Sequence, residues 1–173
     1  CENKDLKFNH VLDVGAWVGT WTAKIDPFCG RVIAFEPDPI HYECLVKNCS
    51  EDVETHQLAI GNEEKMISLS EDDFTQAKRV VGDGTIPMVT IDSLNLDDVD
   101  LIKIDVEGYE MEVLKGATNT LKTVDYLMIE LNNNTKKYGS SNLEIEKYLR
   151  NIGFEIMIKV WPDVVWRKRG KSK

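Results

Sequence analysis

The sequence predicts a single α/β domain built around a mostly parallel β-sheet. Short apolar runs alternate with segments of helical periodicity along the chain, which is typical of β-α-β units. The apolar runs are continuous, as expected for strands that are buried on both faces of a sheet. The 173 residues are enough for one domain with its own core. We therefore expect residues 1–173 to form one domain, with a frayed basic tail at 167–173.

The first part of the chain predicts three strands and two helices. The strands are expected at 10–14, 31–36 and 54–60. One helix should follow Gly19 and extend to about Phe28. The other should begin at Pro39, because proline fits the first helical position and Asp38 can cap the free amides.

The second part of the chain begins with an irregular segment. Two strand-like runs, MISLS and PMVTI, flank a polar stretch at 70–85 that we interpret as a loop or lid. Further strands are expected at 101–105, 126–131, 154–159 and 164–167, the last two as an antiparallel pair. Helices are expected from Glu110 to about Leu121 and from the capping box at Ser141 to Gly153.

Charge and composition exclude several classes of function. The formal net charge is −9, which disfavours a nucleic-acid partner. The sequence contains no run of 18 apolar residues and no signal peptide, so we expect a cytoplasmic protein without a membrane span. The four cysteines match no metal-binding or redox spacing and are interpreted as packing residues or bystanders.

The first strand ends in a turn with the sequence DVGAWVGT, in which Gly15 and Gly19 precede a helix. Glycines at such a turn let a ligand approach the backbone. A dinucleotide-binding turn would need a bare backbone where Trp17 stands, because the pyrophosphate passes there. A nucleoside without phosphate, such as S-adenosylmethionine, does not have this requirement. A tight turn without a ligand is the alternative.

Glu36 ends the second strand, 21 residues after Gly15. A carboxylate at this place can accept hydrogen bonds from both hydroxyls of a ribose. NAD and S-adenosylmethionine both satisfy that geometry, and the alternative is an acid that interacts with a helix dipole or faces solvent.

Acidic residues also end the next strands. Asp105 and Glu107 can both face a cleft, although Glu107 could instead assist a helix start and Asp105 could pair with Lys103. We expect Lys103 to form a structural ion pair. Glu130 and Asn132 should flank Asp105, either in the site or at the surface. His10, His41 and His56 follow no strand end and are interpreted as bystanders.

Together, VLDVGAWVGTWT, AFEPDP, LAIG, TIDSL, IKIDVEGYEMEVLKGA and MIELN resemble the FkbM-type family of S-adenosylmethionine-dependent methyltransferases. The resemblance covers residues 11–167, and its most specific element is IKIDVEGYE followed by LKGA. It implies a Rossmann-like class I methyltransferase fold, a seven-stranded sheet with a terminal antiparallel strand. It also implies O-methylation of a hydroxyl, often on glycan sugars or natural products.

The resemblance further implies which residues bind the cofactor. The methionine end would contact residues of the first turn, the ribose would contact Glu36, and the adenine edge would contact the segment LAIG. The expected cofactor-binding residues are Asp13, Gly15, Ala16, Trp17, Gly19, Glu36, Pro37, Ala59, Ile60 and Asp105. The expected catalytic residues are Asp105, Glu107 and Glu130.

Our mechanistic hypothesis is that Asp105 or Glu107 takes the proton of the acceptor hydroxyl. The same two acids with Glu130 could instead hold a hydrated Mg²⁺, although we expect no metal. The acceptor would be a small molecule or a glycan sugar, and the sequence does not indicate the oligomeric state. A non-catalytic module that binds NAD or a nucleoside is the alternative function.

Overall fold

The structure is a computed structural model that describes residues 8–70 and 80–170, and it confirms the α/β class. In this part of the chain the strands are β1 (Phe8–Val14), β2 (Cys29–Phe35), β3 (Glu54–His56), β4 (Ala59–Ile60), β5 (Lys65–Ile67), β6 (Ile86–Val89), β7 (Leu101–Ile104), β8 (Tyr126–Glu130), β9 (Phe154–Val160) and β10 (Asp163–Lys168). The α-helices are α1 (Thr22–Ile25), α2 (Pro39–Asn48), α3 (Glu110–Lys115), α4 (Thr120–Thr123) and α5 (Asn142–Asn151). Short 3₁₀ segments lie at Asp26–Phe28, Asp92–Leu94 and Asn133–Tyr138.

The main sheet has seven strands in the order β3-β2-β1-β7-β8-β10-β9. Strand β10 runs antiparallel to both of its neighbours, and the other pairs are parallel. This is the mostly parallel sheet with a terminal antiparallel strand that the sequence predicts. The strand order reverses between β1 and β7, and such a switch point opens a crevice at the carboxyl ends of the strands.

The two faces of the sheet form two apolar cores, because successive side chains of a strand point to opposite sides. Leu12 of β1 belongs to the cluster that includes Leu114 of α3 and Leu149 of α5. Val11, the preceding residue, belongs to the cluster that includes Leu45 of α2. Helices therefore pack on both faces, and the strand ends are left for a site.

A smaller sheet has three strands in the order β4-β6-β5, and β5 and β6 lie in the region predicted to be irregular. The predicted strand-like runs correspond to β5 and β6. The predicted lid at 70–85 lies partly outside the described residues, as do Cys1 and the end of the basic tail. Strand β10 extends through Lys168, so the first two residues of the tail are part of the sheet and the prediction that they fray was wrong.

Three predicted elements are interrupted. The strand predicted at 54–60 divides into β3 and β4, because the second half pairs with β6 in the smaller sheet. The helix predicted to reach Phe28 changes to a 3₁₀ turn at Asp26, next to Pro27, which lacks an amide hydrogen. The helix predicted from Glu110 to Leu121 breaks at Gly116, where a Cβ atom would lie 1.9 Å from the carbonyl oxygen of Gly61.

Helix α5 follows its prediction closely. The Ser141 hydroxyl accepts a hydrogen bond from the amide of Glu144, and Gly153 has a positive φ of 95° just beyond the helix. None of the helices in the described ranges is both long and apolar enough to cross a bilayer.

We expect Leu149→Ala to lower the free energy of unfolding by ~2–5 kcal/mol, because its fully buried side chain packs in the larger core. Leu143 on the same helix is 61% exposed, so Leu143→Ala should change stability by less than ~0.5 kcal/mol. Urea unfolding of both variants tests whether Leu149 lies on the buried face of α5 and Leu143 on its exposed face. Equal losses of unfolding free energy would contradict this assignment.

Candidate active site

A cleft opens at the carboxyl ends of β1, β2, β7 and β8, where the switch in strand order predicts it. It brings together nine residues of the predicted site, namely Gly15, Trp17, Glu36, Pro37, Ala59, Ile60, Asp105, Glu107 and Glu130. The structure places Asp13, Ala16 and Gly19 beside the cleft and not in its lining.

The turn after β1 is packed tightly against the turn after β7. Gly15 has a φ of 81°, and a Cβ atom there would lie 1.9 Å from the carbonyl oxygen of Asp105. The amides of Gly15 and Ala16 both donate to the carbonyl of Phe35, each at 3.0 Å. These contacts use the Ala16 amide within the protein, so Ala16 shapes the turn.

Gly19 has a packing function in this structure. Its φ is 83°, and a Cβ atom would lie 2.9 Å from the Leu45 side chain and 3.0 Å from the Cys49 sulfur. The glycine therefore allows the turn to approach α2 closely.

Trp17 has a φ of 51°, a left-handed conformation that is uncommon outside glycine. Its amide donates to Oε2 of Glu36 at 2.8 Å. Trp17 lines the cleft at the position where a dinucleotide-binding turn would carry glycine. A tryptophan therefore stands where a pyrophosphate would need a bare backbone.

Glu36 is buried, and the alternative that it is a solvent-facing acid was wrong. Each carboxylate oxygen accepts one backbone amide, from Trp17 at 2.8 Å and from Asp38 at 2.9 Å. Burial raises the pKa of Glu36 to about 7, although the two amide hydrogen bonds oppose this shift. Each oxygen keeps a lone pair, so the side chain has the acceptors that two ribose hydroxyls require.

His41 also lines the cleft, and the sequence interpretation as a bystander missed this. It lies in the first turn of α2, directly after the end of β2. Its Nδ1 atom is 3.8 Å from Glu36 and 3.7 Å from Asp38, and its ring meets the Trp17 ring edge to face. The first turn of a helix that follows a site-forming strand was the signal for this residue.

Asp13 lies beneath the turn in a buried ion pair. Its carboxylate accepts from Lys103 Nζ at 3.0 Å and from the Thr22 hydroxyl at 2.6 Å. Lys103 also lies 3.4 Å from Asp105, the partner that the sequence suggested, so the structural ion pair is present and Asp13 is a second partner that was not predicted. Burial alone would lower the pKa of Lys103, but Asp13 and Asp105 outweigh burial and raise it.

Three carboxylates meet on the side of the cleft formed by β7 and β8. Ligand oxygens of Asp105, Glu107 and Glu130 lie within 4.8 Å of one another. An oxygen-only set of this size also fits the preference of a hydrated divalent cation such as Mg²⁺. These are the three residues that the sequence predicted to be catalytic.

Two amide side chains hold this cluster, and one of them was not predicted. Asn132 Nδ2 donates to Glu130 at 2.8 Å and to Glu107 at 3.2 Å. Asn134 Nδ2 donates to Glu107 at 2.9 Å. Glu107 has a φ of 55°, and this left-handed backbone is a local feature that the sequence pattern did not reveal.

Glu130 differs electrostatically from an ordinary surface acid. Burial, followed by the charges of Asp105 and Glu107, raises the pKa of Glu130 to about 7. A carboxyl group with a pKa close to neutral pH is suited to accept a proton from a substrate.

The remaining wall of the cleft is mainly apolar. Pro37 follows Glu36, and Leu58 lines the cleft together with Ala59 and Ile60 of β4. An apolar slot beside a carboxylate that can bind ribose fits a flat nucleobase.

The fold and the site together define a class of protein. A seven-stranded sheet with this order, a bent turn after β1 and an acid at the end of β2 are the features of a Rossmann-like class I methyltransferase fold. The sequence profile described as "Methyltransferase FkbM domain" matches residues 13–156. The chain belongs to this FkbM family, which confirms the resemblance noted from the sequence.

Two curated relatives are methyltransferases. The chain is 30% identical over 133 residues to the hexuronic acid methyltransferase AglP of Haloferax volcanii, and the match covers 69% of this chain and 54% of AglP. It is 24% identical over 173 residues to Methyltransferase 1 of Beauveria bassiana, covering 79% of this chain and 70% of the relative. The chain thus spans about half the length of AglP.

Solved structures share the fold. The methyltransferase FkbM from Methylobacillus flagellatus superposes with a TM-score of 0.67 at 21% identity, covering 92% of this chain and 43% of that protein. The N-methyltransferase NodS from Bradyrhizobium japonicum, solved with S-adenosyl-L-homocysteine, gives a TM-score of 0.56 at 13% identity, covering 94% and 79% of the two chains.

We expect Lys103→Met to destabilise the protein by ~3–5 kcal/mol, because the buried Asp13 carboxylate would lose its charged partner. Adding Asp13→Asn should restore part of the loss, since asparagine still accepts from Thr22. Lys159→Met, which breaks the more exposed pair with Glu146, should cost at most ~1 kcal/mol. Urea unfolding measures all three, and a double variant no more stable than Lys103→Met would contradict the ion-pair explanation.

Proposed function

We propose that this domain transfers the methyl group of S-adenosylmethionine to a hydroxyl of a glycan sugar or another small molecule. The observation that carries the proposal is that one cleft is lined both by Glu36, suited to a ribose, and by Asp105, Glu107 and Glu130, suited to accept a proton. The similarity to a hexuronic acid methyltransferase supports a sugar-like acceptor.

The residues present fit the cofactor. Glu36 would bind the ribose hydroxyls with its remaining lone pairs, and Ala59 and Ile60 would border the adenine. Gly15 lines the cleft and would border the methionine end. Trp17 would exclude a pyrophosphate, which favours S-adenosylmethionine over NAD.

When bound, the cofactor supplies a methyl group on a positively charged sulfonium sulfur. The cleft would hold the acceptor hydroxyl in line with the bond that breaks, and such alignment is worth up to ~7–11 kcal/mol. The acceptor oxygen would gain the methyl group, the electron pair of the broken bond would stay on sulfur, and a carboxylate of the cluster would take the hydroxyl proton.

We assign the proton acceptor to Glu130. Burial and two neighbouring acids raise its pKa to about 7, so it binds a proton readily near neutral pH. Asp105 is turned toward the ammonium of Lys103, and Glu107 is held by two amides. These two acids would therefore orient the acceptor, which revises the hypothesis that one of them is the base.

A cytoplasmic location is part of the proposal. The thiols of Cys29, Cys44 and Cys49 are free in the described part of the chain, as is usual in a reducing compartment.

Calorimetry with S-adenosylmethionine, S-adenosylhomocysteine and NAD tests the cofactor assignment. We expect binding of the first two, with Glu36→Ala weakening it at least about tenfold, since two hydrogen bonds to a charged group are lost. The exposed Glu43→Gln is the control. Affinity should rise as the pH increases through about 7, because the ribose hydroxyls donate to the ionised form of Glu36. Binding of NAD alone would support a non-catalytic nucleotide-binding module and overturn the proposal.

Turnover measurements test which carboxylate is the general base. The three separate variants are Glu130→Gln, Asp105→Asn and Glu107→Gln. A general base contributes about 10²–10⁴-fold, so Glu130→Gln should lower kcat by that factor while cofactor binding persists. Labelled S-adenosylmethionine with neutral and acidic sugars as acceptors provides the assay. Normal kcat in Glu130→Gln would show that the base lies elsewhere.

A further inference from the structure

Asn132 follows β8 and connects two acids that belong to different parts of the chain. Its Nδ2 atom lies 2.8 Å from Oε2 of Glu130 and 3.2 Å from Oε2 of Glu107. Glu130 ends β8, whereas Glu107 lies in the turn after β7. A single amide group therefore bridges the two strand ends.

The other end of the same amide fixes its orientation. Oδ1 of Asn132 accepts the backbone amide of Asn134 at 2.9 Å and caps the 3₁₀ segment Asn133–Tyr138. An oxygen is required at the backbone amide and a donor is required at the carboxylates, so only one arrangement of the side chain satisfies both. The donor of Asn132 consequently points into the acid cluster.

The charges around the cluster make this donor important. Asp105 contributes a third carboxylate, and Asp163 of β10 pairs in register with Glu130. Lys103 lies 3.4 Å from Asp105, but it is also engaged by Asp13. Like charges at these distances repel, and an amide donor shared by two carboxylates offsets the repulsion.

We propose that Asn132 is a positioning residue, whose amide holds Glu107 and Glu130 together so that Glu130 faces the acceptor hydroxyl. The inference rests on the proposed function and adds a residue that acts through the carboxylates without touching the reacting atoms.

Asn132→Ser separates this role from the helix cap, because serine is an equally good N-cap but is too short to bridge two carboxylates. We expect kcat to fall about 10²-fold, as for a catalytic group displaced by about 1 Å. The affinity for S-adenosylmethionine should stay at the wild-type level, whereas the melting temperature should fall, because the two hydrogen bonds of the Asn132 amide to Glu107 and Glu130 are lost. The control is Asn62→Ser, which removes an exposed amide that donates to Glu112 at 2.6 Å and should leave kcat unchanged.

A double-mutant cycle shows whether Asn132 acts through Glu130. In a Glu130→Gln background, Asn132→Ser should lower kcat by less than about twofold, because the group that it positions is already lost. The same 10²-fold loss in both backgrounds, or an unchanged kcat in Asn132→Ser alone, would overturn the proposal.

A crystal structure of Asn132→Ser gives a test that does not depend on an acceptor. The side chains of Glu107 and Glu130 should rotate apart when the bridge is absent, and unchanged positions would overturn the inference. If wild-type protein binds S-adenosylmethionine but methylates no hydroxyl, the proposed function fails, and this structure still decides whether Asn132 positions the two acids.

Discussion

The geometry of the cleft depends on the contact between Gly15 and the carbonyl of Asp105. A side chain at position 15 would lie 1.9 Å from that oxygen, so the turns after β1 and β7 approach each other only because this residue is glycine. Lys103 Nζ donates to the Gly15 carbonyl at 3.1 Å and fixes the other side of the same residue. The turn that holds Glu36 through the Trp17 amide is thereby fixed relative to the acids after β7.

The second constraint is the accumulation of negative charge at one edge of the sheet. Glu36 and the three clustered carboxylates line the cleft, and Lys103 is engaged by Asp13 and Asp105. Burial raises the pKa values of Glu36 and Glu130 to about 7, so part of this charge is removed by protonation when no ligand is bound. A site with these properties favours a cationic ligand over an anionic one, and a sulfonium centre is a cation, whereas a pyrophosphate is an anion.

The sequence predicted the features that depend on chain order and failed at those that depend on register. Strand ends are visible as apolar runs that stop at an acid or a glycine, and this was enough to find Gly15, Glu36, Asp105 and Glu130. The pairing of Asp13 with Lys103 requires the knowledge that these residues are neighbours across β1 and β7. The division of the strand at 54–60 depends on a partner strand about 30 residues later, which no local pattern encodes. Asn134 reaches the cluster only because of the 3₁₀ segment after β8, so its role could not be predicted from the periodicity.

The turn Asp105-Val-Glu-Gly108 shows how a strained backbone is maintained at this site. Glu107 has a φ of 55°, and a left-handed conformation costs a residue with a side chain about 1–2 kcal/mol. The hydrogen bonds from Asn132 and Asn134 to its carboxylate each contribute about 1.5–3 kcal/mol, which is enough to offset that cost.

Gly108 makes this compensation possible. A Cβ atom there would lie 2.7 Å from the carbonyl group of Asn134, so glycine is needed for the 3₁₀ segment to approach the turn. Glu107 and Gly108 therefore have complementary roles. Glu107 adopts the strained conformation that points its carboxylate at the end of β8. Gly108 leaves space for the 3₁₀ segment, from which the Asn134 side-chain amide stabilises that carboxylate.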